Sequence, residues 1–300
     1  MTVMQHPPQP EDALPAKSAL PITLRDGGLY LDPQEARAAG AKLSAGYRAA
    51  KPYNHIVIDD FLPTALAQQL LDHFPPTTKN NEEYAHNYSG IQVNKRQVYP
   101  NDANAFCRNV FAFFNAGPFL QFLEGLTGIE GLISDPYFHG GGFHEISHGG
   151  KLSIHADFRI NEQLHLERRL NVLIYLNQDW PESYGGMLEL WDPSMKEKCV
   201  SIAPLFNRCV VFNTDAHSYH GHPEPLTCPE DRTRKSIALY YYTASHAIYE
   251  ELPSNSTIYV ARPGEDAHSK KMARRLRWQN YAKDFLPPVL FRKLRQFKNR

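Results

Sequence analysis

Residues 169–191, RLNVLIYLNQDWPESYGGMLELW, decide the fold class of this chain. Two short apolar runs, Leu170–Leu176 and Met187–Trp191, flank a stretch rich in Asn, Asp, Pro and Gly. Runs of this length bounded by turn-forming residues read as β-strands. The same texture extends outward on both sides, through Leu152–His155, Val200–Ile202, Cys209–Phe212 and Ser236–Tyr242. Short strands recurring between turns over Asp135–Thr243 predict an antiparallel sandwich or barrel.

Ahead of this strand-rich half the periodicity changes. Residues Pro33–Tyr47 favour helix by propensity, and His55–Ile58 is a β-branched strand. Pro63 suits a first helical turn; Leu66, Leu70, Leu71 and Phe74 follow at helical spacing until Pro75-Pro76 stops them. One further helix is predicted over Asn101–Gly125, its Phe106, Val110, Phe114, Phe119 and Phe122 forming a core face. These helices are expected to cover one outer face of the barrel. The first twenty or so residues, rich in Pro, Gln and Ala, read as a disordered lead-in. Domain organisation is therefore expected as a flexible or helical lead-in over 1–50, the main domain over 51–250 with its strand core at about 134–243, and a basic helical extension over 251–300.

With 300 residues, 42% hydrophobic and 21% charged, the chain has an ordinary globular composition. Its formal net charge is zero, which gives no global pull toward nucleic acid. The charge is uneven, however: residues 262–300 hold twelve Lys or Arg against three acids. Such a tail is a solvated helical appendage or a weak contact for a partner or an anionic surface. Cys107, Cys199, Cys209 and Cys228 form no C-x-x-C pair, so neither a disulfide framework nor a thiolate zinc site is expected. No transmembrane stretch or signal peptide is read, and the expected location is cytoplasmic.

The chemistry gathers in the strand-rich half. His155 and Asp157 stand two apart at the end of the strand KLSIH, so both point to the same face and can bind one ion together. A later histidine follows the strand CVVF; His217, His220 and His222 are the candidates. Two imidazoles and one carboxylate on one side of an ion leave positions open, the arrangement of non-haem iron(II) oxygenases. Arg234 opens the apolar strand RKSIALYYYT, and a guanidinium there calls for an anionic, bidentate partner such as the far carboxylate of a dicarboxylic acid. The segment DPYFHGGGFHEISHGGK, with His139, His144 and His148, reads as a Gly-rich loop at the barrel mouth that either touches substrate or only turns tightly.

Taken together, RLNVLIYLNQDWPESYGGMLELW, the P-x-x-x-R-x-x-x-F run of IAPLFNRCVVFNTDAHSYHGH and the strand RKSIALYYYT resemble the prolyl 4-hydroxylase-like branch of the iron(II)/2-oxoglutarate oxygenases, over about Ser134–Thr243. The resemblance implies an α+β, mainly β protein with a double-stranded β-helix (jelly-roll, cupin-like) core. It implies His155, Asp157 and His220 as the metal ligands, His220 keeping the spacing from Phe212 and the H-G-x-P pattern that follows it. It further implies Arg234 and Tyr175 as the 2-oxoglutarate clamp, O2 as oxidant, ascorbate as a stimulatory reductant, and succinate and CO2 as products. Asp157 favours hydroxylation over halogenation, since related halogenases lack this carboxylate; desaturation and demethylation stay open. The substrate implied is a prolyl or other amino-acid residue on a protein, a peptide or a small molecule. Two other classes fit a similar barrel: a cupin-like metal enzyme indifferent to 2-oxoglutarate, and a non-catalytic jelly-roll binding protein.

Overall fold

The structure is a computed structural model that describes residues 18–76, 91–244 and 257–285. In chain order it runs β1 (Thr23–Arg25), β2 (Gly28–Tyr30), α1 (Pro33–Ala49), β3 (His55–Ile58), α2 (Thr64–Asp72), β4 (Gln92–Val98), α3 (Ala105–Phe114) and α4 (Gly117–Thr127). The strand-rich half follows as β5 (Ile133–Ser134), β6 (Gly142–Ala156), β7 (Ile160–Asn161), β8 (Leu166–Tyr175), β9 (Leu188–Trp191), β10 (Lys198–Ile202), β11 (Arg208–Asn213), β12 (His220–His222) and β13 (Arg234–Thr243). The chain then returns as β14 (Ile258–Tyr259) and α5 (Ala267–Phe285).

Strands β1 and β2 pair as a separate hairpin; the others form one antiparallel sheet with the order β10-β9-β12-β6-β13-β8-β11-β3, folded nearly closed as a jelly roll. Strand β6 spans both halves: its first part pairs with β13, its last part with β12, and β4 lies along its other edge. The segment that the sequence suggested as a Gly-rich loop is thus largely strand from Gly142 on. Pairing on two sides satisfies its backbone, which outweighs the poor strand propensity of its glycines.

Alternation along the strands sorts the side chains between two environments. On β8, Leu170, Val172 and Ile174 join the large core beneath the helices, together with Ile237, Leu239 and Tyr241 of β13. Asn171, Leu173, Arg234, Ser236 and Tyr240 face the barrel interior. Both faces of these strands are therefore covered, which explains why they read as nearly continuous apolar runs.

The helical layer carries Phe111, Phe114, Phe119 and Phe122, all fully buried. Phe114 and Phe119 meet edge to face at 5.1 Å, a favoured aromatic arrangement. The single helix expected over Asn101–Gly125 is instead two, because Pro118 cannot occupy a helix interior and starts α4 in its first turn. Asn104 caps α3 by accepting the Cys107 N–H at 2.9 Å. Helices α1 and α4 cross at Gly40 and Gly125; a Cβ on Gly40 would lie 2.1 Å from the Phe122 carbonyl, so the approach requires glycine. Leu20, Ile22, Leu31, Ala36 and Tyr47 belong to the same core, so the chain is packed into the domain from about residue 18 onward. The disordered lead-in expected earlier in the chain lies outside the described residues.

A buried ionic cluster locks β4 to β6 and β13. Glu145 accepts from Arg96 Nε at 2.8 Å and from the Thr233 hydroxyl at 2.7 Å, and lies 3.2 Å from Lys235 Nζ. Burial pushes its carboxyl upward, but the Thr233 hydroxyl and the two cations outweigh it and hold the pKa below the usual glutamate value. A lowered folded-state pKa contributes stability above the unfolded pKa and loses it as pH falls through the folded value. Glu145→Gln should therefore lower the urea midpoint at pH 7 and flatten its decline below about pH 4; an acid limb unchanged from wild type would contradict this role.

Candidate active site

The barrel interior encloses a cavity of about 220 Å³. Strand β6 delivers His155 to it, and the turn after β6 delivers Asp157. Strand β12 delivers His220, paired in register directly opposite His155. Among the described residues these three form the one group of His, Cys, Asp or Glu whose ligand atoms all lie within 4.8 Å of one another. The His155 Nε2 is 3.5 Å from Asp157 Oδ1, and the His220 Nε2 is 3.4 Å from Asp157 Oδ2.

Backbone carbonyls set both tautomers. His155 Nδ1 donates to the Ser153 carbonyl and His220 Nδ1 to the Ser218 carbonyl, each at 2.9 Å. Each Nε2 is left with its lone pair directed at the shared centre, as metal-ligating histidines require. Burial, and then the neighbouring His220, lower the His155 pKa and favour the neutral, ligating form. The donor set of two neutral imidazoles and a carboxylate fits a divalent first-row metal.

Asp157 is held by a residue the motif reading missed. Arg168, fully buried on β8, donates from Nη2 to Asp157 Oδ2 at 2.9 Å. Asn171 donates to the same oxygen at 2.7 Å and accepts from Arg168 Nε at 3.0 Å. The guanidinium stacks on Tyr240 at 3.4 Å and faces Phe158 at 4.7 Å. Burial alone would raise the Asp157 pKa; Arg168 and the two histidines overcome it and keep the group well below the usual range. The signal was present in LERRLNVLIYLN as a charge inside an apolar run, but sequence cannot distinguish an inward arginine from an outward one.

Arg234 enters the cavity from β13. Its Nε donates to the Gly186 carbonyl at 2.8 Å and its Nη2 to the Tyr175 hydroxyl at 3.3 Å. Gly186 has φ +74°, and a Cβ there would come 2.8 Å from Arg234 Cδ, which explains the G-G step in YGGMLELW. His222 also lines the cavity but stands outside the three-residue cluster, and His217 lies beyond it in the turn. Of the histidines in DPYFHGGGFHEISHGGK, His144 lines the cavity, while His139 packs on Phe158 at its edge. Strand β14 adds Tyr259, whose ring lies 5.5 Å from that of His155; its distance along the chain hid it from motif reading.

A nearly closed antiparallel jelly roll whose cavity holds this triad beside a buried arginine defines a class: metal-dependent enzymes built on the double-stranded β-helix. Residues 141–242 match the family model described as the 2OG-Fe(II) oxygenase superfamily. The match marks this domain as that of a 2-oxoglutarate-dependent dioxygenase whose cofactor is iron(II).

The chain is similar to three solved structures, of which the first reaches a TM-score of 0.50. A prolyl hydroxylase from Trichoplax adhaerens, in complex with a hypoxia inducible factor oxygen degradation domain peptide fragment, is 17% identical; the match covers 70% of this chain and 91% of that one, with a TM-score of 0.50. A prolyl-4-hydroxylase from Pseudomonas putida is 19% identical, with 69% and 100% covered and a TM-score of 0.47. A prolyl 4-hydroxylase from Phytophthora capsici is 18% identical, with 84% and 82% covered and a TM-score of 0.46. No curated protein matches the chain in sequence.

Proposed function

We propose that this chain hydroxylates an unactivated C–H bond of a prolyl or other amino-acid residue, with His155, Asp157 and His220 holding iron(II) and Arg234 with Tyr175 holding 2-oxoglutarate. The observation that carries this reading is that the triad and Arg234 line one cavity. Bound there, iron(II) and 2-oxoglutarate would activate O2, the oxidant: one oxygen atom enters succinate as the co-substrate loses CO2, and the other reaches the substrate.

The protein's part is geometry and exclusion of water. The Nδ1 hydrogen bonds aim both imidazoles, and Arg168 with Asn171 fixes the rotamer of Asp157. Arg234, braced by Gly186, presents a guanidinium that suits a carboxylate bidentately, with the Tyr175 hydroxyl beside it. Leu173, Leu188, Phe158 and Tyr240 supply apolar wall around the reacting position. The choice of an amino-acid residue follows the Trichoplax protein, a prolyl hydroxylase with a peptide bound. A cytoplasmic setting is in keeping with four free cysteines, and no helix among the described residues is long and apolar enough to cross a membrane. Basic helix α5, with Lys270, Lys271, Arg274 and Arg275, offers a weak contact for an anionic partner or surface.

The test is aerobic turnover with iron(II), 2-oxoglutarate and a panel of free amino acids and proline-containing peptides. Succinate formed in step with a product heavier by one oxygen, derived from 18O2, is the expected outcome. Succinate that no panel member stimulates would reject the amino-acid assignment.

A further inference from the structure

We propose that Lys95 is a second anion-binding point in the same cavity, selecting a prime substrate that presents a free carboxylate close to the carbon to be oxidised. The inference rests on the assignment of Arg234 to the co-substrate. It adds a residue for which neither the metal site nor the co-substrate clamp has any use.

Sheet register gives the placement. Lys95 on β4 lies opposite Ile146 of β6, and Ile146 lies opposite Arg234 of β13. Lys95, Ile146 and Arg234 thus form one row across three strands, and all three line the cavity. With strands about 4.8 Å apart, the two cationic residues stem from backbones about 10 Å apart. Arg234 is held away from Lys95, because its Nη2 reaches Tyr175 on β8, the strand on the far side of β13. A carboxylate on the Arg234–Tyr175 clamp therefore leaves Lys95 to a different anion.

Charge makes the same point. Lys95, Arg168, Arg234 and Asp157 are the charged lining residues apart from histidines, three cations against one carboxylate. Arg168 already takes Asp157. Iron(II) and 2-oxoglutarate are neutral as a pair, so loading the site leaves the cationic excess in place. The Lys95 ammonium has no hydrogen bond or ion pair among the described residues. Burial depresses its pKa to about 8, opposed by Asp157 and reinforced by Arg234 and Arg168. Buried His222, whose charged neighbours include Arg234 and Lys95, has neither ring nitrogen partnered. Buried polar groups in native proteins are nearly always satisfied, so the unpartnered His222 imidazole, facing the same cavity as the half-buried Lys95 ammonium, points to an incoming acceptor.

The experiment uses the full chain loaded with zinc(II) and 2-oxoglutarate, which cannot turn over, with 13C-acetate, inorganic phosphate and acetamide as probes followed by NMR line broadening. The wild type is expected to bind acetate and not acetamide, and Lys95→Met to weaken acetate by about tenfold or more, the loss of one charged hydrogen bond. The same variant should keep its 2-oxoglutarate affinity, measured by calorimetry, within about twofold of wild type. No acetate binding by the wild type, equal binding of acetamide, or phosphate bound in place of acetate would each overturn the carboxylate subsite. A large loss of 2-oxoglutarate affinity in Lys95→Met would overturn it too, placing Lys95 in the co-substrate clamp. Undiminished 2-oxoglutarate affinity in Arg234→Met would instead reject the co-substrate assignment, so the two failures are distinguishable.

Discussion

Asp157→Ala is expected to lose both iron(II) and much of the stability of the metal-free protein. Partners that merely orient a ligand cost ~10–100-fold in metal affinity when removed, so loss of the carboxylate itself should exceed ~100-fold. The stability effect comes from Arg168. Its guanidinium is 1% exposed and Asp157 is the carboxylate bonded to it. Leaving one member of a buried pair without its partner costs about 3–5 kcal/mol. Urea unfolding of the metal-free protein should show a drop of that size. Asp157→Ala/Arg168→Leu should recover most of it, since the stranded charge is gone, while iron binding stays lost. Equal stability of the two variants would show that Arg168 does not depend on Asp157.

Arg234→Met should leave iron(II) binding intact and weaken 2-oxoglutarate by about 10²–10³-fold, within the ~2–5 kcal/mol typical of truncating one side of a buried charge pair. Arg234→Lys should recover only part of this. An ammonium keeps the charge but cannot span both the Gly186 carbonyl and the Tyr175 hydroxyl while offering two parallel donors to a carboxylate. Calorimetric titration of the zinc(II)-loaded variants with 2-oxoglutarate measures both effects. Wild-type affinity in Arg234→Met would remove this residue from the clamp.

Much of the barrel was legible because strands covered on both faces carry dense apolar runs, as in Leu170–Leu176 and Ser236–Tyr242. The metal-site candidates were legible for a local reason: His155 and Asp157 stand two apart where a strand ends. His220 was separable from His217 and His222 only by resemblance, and the structure adds the physical difference. His220 faces His155 across the β12–β6 pairing, whereas His222 pairs with Leu152 after a register shift. The break at Pro118 was obscured because phenylalanine spacing continues through it. Arg168 and Lys95 were illegible for a deeper reason. A charged residue in a strand reads as solvent-facing unless the partners that bury it are known, and those partners lie far away in the chain. Lys95 meets the cavity only through the pairing of β4 with β6.

The most direct measurement is an anaerobic optical titration of the protein with iron(II) and then 2-oxoglutarate. The weak visible charge-transfer band of a 2-oxo acid chelated to ferrous iron is expected to appear on the second addition and saturate at one equivalent, and to be lost in Asp157→Ala and weakened in Arg234→Met. Iron(II) bound at the triad with no band at saturating 2-oxoglutarate would contradict the oxygenase site and leave a metal enzyme of another kind.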